Sequence, residues 1–171
     1  MQLTTRGIVR RRLPILGVTI TAVSFALWFQ WWSLDGFPGV LLTALLREDT
    51  SYASGYTDRG FRTIRAGMSA ERVQTLVGLP LSVSWSYESS SSLCRSVNFV
   101  NGRVRSWAFA DCENVGLQTG MPMDRASVVL GRPHEIYWLY SESPGDTHYR
   151  IRGVIFADDK VLRVIKSWYV D

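Results

Sequence analysis

Histidine and cysteine are scarce in this chain: its 171 residues hold two of each, His134, His148, Cys94 and Cys112. A structural zinc site takes four such ligands and a catalytic one usually three. Building either would need both histidines plus a carboxylate, and the cysteines are not in a C-x-x-C spacing, so no metal site is expected. The G-x-S-x-G, P-loop and dinucleotide fingerprints are also absent. The adjacent acids Asp158 and Asp159 read as solvated turn residues rather than a catalytic pair. With neither a nucleophile nor a base in place, the chain is expected to be neither an enzyme nor a cofactor carrier. Basic excess is small as well, 19 Lys+Arg against 15 Asp+Glu. Four of those cations, Arg6, Arg10, Arg11 and Arg12, sit at the N-terminus, and without them the remainder is neutral. A nucleic-acid-binding domain would need a basic stripe on its folded part, so nucleic acid is not an expected partner.

What the chain has instead is an internal repeat. Gly67, Met68, Arg72, Gly78, Pro80, Trp85 and Tyr87 each recur 53 positions later, as Gly120, Met121, Arg125, Gly131, Pro133, Trp138 and Tyr140. Ungapped identities of this kind fix the architecture before any local reading. In each copy a short helix with one apolar face is stopped by Gly and then by Pro. Ser69 suits the first N-cap, and Pro122 lies near the second start. Strands follow: Val83, Trp85 and Tyr87 alternate with serines, and Asn101-Gly102 between two strand-like runs is a strong hairpin signal. A second hairpin is expected to turn near Asp158-Asp159 and to be longer. Its register is open, because Phe99 matches Phe156 at one offset while Trp107 resembles Trp168 at another. Each unit is thus read as a short helical segment followed by a three-stranded antiparallel meander, an α+β fold.

Before the repeat, residues 13–32 carry no charge. As a helix they would span about 30 Å, the thickness of a bilayer core. Arg10, Arg11 and Arg12 flank one end, and Trp28, Trp31 and Trp32 suit the headgroup belt at the other. The absence of an A-x-A-like site argues against a cleaved signal peptide. A transmembrane helix is therefore expected, with the N-terminus in the cytoplasm of a bacterial inner membrane and the C-terminal domain in the periplasm. The expected divisions are a basic tail over 1–12, the span over 13–32, an interfacial helix and linker over 33–55, and repeats over 56–113 and 114–171.

The string from Gly67 to Pro80, with its degenerate second copy from Gly120 to Pro133, resembles the SmpA/OmlA family, the BamE-like assembly lipoproteins. Two such units in tandem are similar in architecture to beta-lactamase inhibitory protein. The resemblance covers roughly residues 56–171, and it implies the fold and a non-catalytic, protein-binding habit. Family lipoproteins carry a lipobox cysteine just after the signal; here the only cysteines lie far downstream.

An extracytoplasmic domain favours a Cys94–Cys112 disulfide. An ideal hairpin would hold them about 10 Å apart on opposite faces, so a bridge needs a bulge before Cys112, and two free thiols are the alternative. The recurring aromatics Trp85, Tyr87, Trp138 and Tyr140, with Trp107 and Trp168, are the protein-binding candidates; core packing is the competing role for most of them. The expected function is an accessory or scaffold subunit of a larger membrane complex, partnered by integral membrane subunits, lipid and an extracytoplasmic protein. The alternative is a free-standing assembly factor or inhibitor-like protein that captures a soluble partner on its sheet.

Overall fold

The computed structural model describes residues 18–28, 39, 48–87, 96–108, 116–145 and 148–170. The chain divides into two compact units, Met1–Arg47 and Glu48–Asp171. In the first unit, residues 18–28 form helix α1, with every residue exposed. At 1.5 Å per residue these described residues span about 16 Å, and no helix among the described residues is long and apolar enough to cross a membrane. This corrects the expected transmembrane helix over 13–32. Trp28 is exposed in α1, its ring centroid 6.0 Å from that of Phe25. Arg10, Arg11, Arg12, Trp31 and Trp32 lie outside the described residues. So does the expected interfacial helix, apart from Gly39, which is helical and buried.

The second unit is α+β. The stretch read as the end of a linker is part of its fold: strand β1 (Ser51–Tyr52) pairs with β6 (Ser141–Glu142), and Ala53 is buried. Thr57 then caps helix α2 (Asp58–Thr63), accepting from the Gly60 N–H at 3.1 Å. Helix α3 (Ala70–Val77) starts at Ser69, whose side chain accepts from the Arg72 N–H, and stops at Gly78. Gly78 has φ +77°, and a Cβ there would lie 2.7 Å from the Ser54 carbonyl oxygen, so conformation and space both require glycine. Helix α4 (Met123–Leu130) repeats α3 with Pro122 at its N-cap and no side-chain cap.

Six antiparallel strands form the main sheet: β2 (Ser82–Ser86), β3 (Ser96–Val100), β4 (Arg103–Ala108), β5 (Glu135–Leu139), β7 (Tyr149–Ala157) and β8 (Lys160–Tyr169). Their spatial order is β4-β3-β2-β5-β7-β8. The two meanders join where β2 pairs with β5, and in that register Ser84 faces Tyr137. These two positions are equivalent in the repeat, so a local two-fold axis passes between them.

The hairpins settle the open register. Asn101 and Gly102 have φ +52° and +70°, and Asp158 and Asp159 have φ +48° and +59°, so both turns are left-handed two-residue turns. Each hairpin has a register shift, between Asn98 and Phe99 in one and between Ile155 and Phe156 in the other. Phe99 therefore matches Phe156 and Val104 matches Val161, while Trp107 is not the counterpart of Trp168. Trp85 packs on Phe99 with centroids 4.4 Å apart, and Trp138 packs on Phe156 at 4.5 Å, at nearly the same tilt.

One feature of the packing departs from the order along the chain. The helices are exchanged between the repeats. Phe61, Val73 and Val77 of α2 and α3 are buried against Tyr140, Val154, Phe156 and Val161 of the second meander. Ala126 of α4, with Leu117, is buried against Trp85, Val97, Phe99 and Val104 of the first. Matching backbone hydrogen bonds fasten both exchanges. The Gly67 N–H donates to Val161 O, Val161 N–H to Met68 O and Ala70 N–H to Asp159 O, at 2.8, 2.8 and 3.2 Å. Their counterparts run from Gly120 to Val104, Val104 to Met121 and Met123 to Gly102, at 2.8, 2.9 and 2.9 Å. The Gly-Met element is thus a backbone clasp on the edge strand of the other repeat. Residues 56–113 and 114–171 are sequence repeats, but each lacks the helix that covers its own sheet.

Candidate protein-binding face

Because side chains alternate along a strand, the helices leave one face of the sheet to present a second set of residues. On the β4-β3-β2 half that set is mostly small and polar: Ser82, Ser84, Ser86, Ser96, Asn98 and Ser106, with Val100 and Ala108 beside them and Ser84 hydrogen-bonded to Asn98. On the β5-β7-β8 half it is aromatic and aliphatic, with Tyr137, Leu139, Ile151, Ile155 and Ile165 beside Arg163. The local two-fold separates the two chemistries, since Ser84 and Tyr137 are its matched pair.

Tyr137 is held by a glycine. A Cβ on Gly153 would lie 2.2 Å from Cε2 and 2.4 Å from the hydroxyl oxygen of Tyr137, so the ring rests on bare backbone. Ile155, the cross-strand partner of Tyr137, is buried. Burial pushes the Tyr137 hydroxyl above its ordinary pKa, with a smaller push from Tyr149. Farther along the same face, Tyr149 and Tyr169 pair across β7 and β8 with ring centroids 5.3 Å apart. Three tyrosines therefore mark one half of the face, and Tyr169 is exposed.

The recurring aromatics singled out from the sequence lie on the opposite, helix-covered side. Trp85 and Tyr140 are buried, and Tyr87, Trp107 and Trp138 are packed around the two cores. The Tyr87 hydroxyl donates to the Gly131 carbonyl at 3.4 Å, and burial pushes its pKa up to about 12. Trp168 carries the Arg150 guanidinium 5.2 Å from its ring centroid. The six thus stand in or beside the helix-covered cores, whereas Tyr137, Tyr149 and Tyr169, which do not recur, stand on the other face, Tyr169 exposed and the other two half-buried. The signal for Tyr137 was present in β5: Glu-Ile-Tyr-Trp-Leu lacks the serine alternation of β2, so most of both faces is apolar. Cys94 and Cys112 lie outside the described residues.

Polar networks tie parts of the unit together. Arg152 is almost fully buried; its Nε lies 3.8 Å from Asp58 Oδ1, and its backbone N–H donates to Ser141 Oγ at 2.7 Å. The Tyr56 hydroxyl donates to the same Asp58 oxygen at 2.8 Å. Burial, reinforced by that carboxylate, raises the Tyr56 pKa. This network ties α2 to β7. At the second hairpin tip, Arg132 reaches Asp158 at 3.3 Å and Asp159 at 3.5 Å, so these acids form a surface ion cluster. Among the described residues no group of three or more His, Cys, Asp or Glu could hold a metal ion. Neither a family model, nor a curated protein, nor a solved structure matches this chain.

Proposed function

We propose that the chain is a non-catalytic accessory or capture protein that binds a protein partner on the face of its six-stranded sheet that the described helices leave open. The observation that carries this reading is the composition of that face, tyrosines at one end and serines with an asparagine at the other. Tyrosine gives large contact area at low cost in conformational entropy, and serine and asparagine give adaptable hydrogen bonds, the same division of labour found in antibody paratopes. Tyr137, already seated on Gly153, loses little further freedom on binding, which favours affinity. The resemblance of Gly67–Pro80 to SmpA/OmlA proteins points the same way.

The test is affinity capture with the full chain from its cell of origin, comparing wild type with Tyr137→Ala, Tyr169→Ala and Arg72→Ala. Truncating an interface anchor costs about 2 kcal/mol or more, roughly 30-fold in affinity. Loss of a partner with the tyrosine variants but not with Arg72→Ala, on the exposed helix side, supports the reading. Equal retention by all three variants overturns it.

A further inference from the structure

We draw no further inference here: the strongest candidate, the outer edge of strand β8 beyond the clasp that Gly67 and Met68 make on Val161, with Arg163 along it, carries nothing, because a cationic side chain on an edge strand serves to keep other strands away and nothing among the described residues shows what would pair with it.

Discussion

Replacing Asp159 by glycine is expected to stabilise the protein although it removes an ion-pair contact. Asp159 has φ +59°, and its counterpart in the first hairpin is Gly102 at φ +70°. An L-residue held in the left-handed region costs about 1 kcal/mol, somewhat less for aspartate, and glycine relieves that cost. Against it stands the contact from Arg132 to Asp159 at 3.5 Å, between side chains 68% and 76% exposed. Exposed pairs of this kind contribute roughly 0–1 kcal/mol, and the lower end applies at such exposure. The Arg132 contact to Asp158 at 3.3 Å is left in place. The bond from the Ala70 N–H to Asp159 O uses only backbone and survives the substitution. The net expectation is a gain of about 0.5–1 kcal/mol, a rise in Tm of about 2–5 °C for a unit of this size. Urea and thermal denaturation followed by circular dichroism measure it. Asp159→Ala separates the two contributions: it loses the same charge without relieving the backbone, and should lower stability by about 1 kcal/mol. If Asp159→Gly lowers stability as much as Asp159→Ala does, backbone strain is not what limits this turn and the reasoning fails.

Three further outcomes follow from the same geometry. Gly153→Val should cost about 1–3 kcal/mol by overpacking against the Tyr137 ring and should weaken partner binding by displacing that ring; a variant with wild-type urea midpoint and affinity would show that the seat has no role. Cutting the chain between Ala108 and Gly116 should give two halves that are unfolded alone and regain the native spectrum when mixed, because each half holds the helix of the other's core; an independently folded half contradicts the exchange. Stability should also fall at high pH. Burial raises the pKa of Tyr52, Tyr56, Tyr87, Tyr137 and Tyr140. Unfolded tyrosine titrates near pH 10, so above that pH the unfolded chain releases protons that the folded chain keeps, and stability present below pH 10 is lost as pH rises through the Tyr87 value of about 12. A urea midpoint that declines from pH 9.5 to 11, less steeply in Tyr87→Phe, is the expected result; a flat midpoint counts against it.

Local rules are what the sequence made legible. Gly78 and Gly131 end their helices with φ +77° and +75°, Ser69 caps α3, and Asn101-Gly102 turns its hairpin, each a choice enforced within a few residues of chain. The exchange of helices was not legible, since the apolar stripe of Val73 and Val77 states that a face is buried without stating which sheet buries it. Strand β1 leaves no mark in the sequence, because two residues are too few to show alternation and its pairing with β6 is long-range. Trp85, Trp138, Tyr87 and Tyr140 recur because both copies need the same core. The binding candidates Tyr137, Tyr149 and Tyr169 lie where the copies differ: Ser84 occupies the place of Tyr137. The apolar run at 13–32 satisfied the length rule for a bilayer span, whereas the helix described within it covers only 18–28.

The most direct test of partner binding on the sheet is site-specific photo-crosslinking in the cell of origin, with a photoreactive phenylalanine placed in turn at Tyr137, Tyr169 and Ser84 on the face that the described helices leave open and at Glu71 and Arg125 on the helix side. One protein adduct shared by the three sheet positions and absent from the two helix positions is the expected result. An adduct formed only from Glu71 or Arg125 would place the partner on the opposite side of the molecule and contradict it.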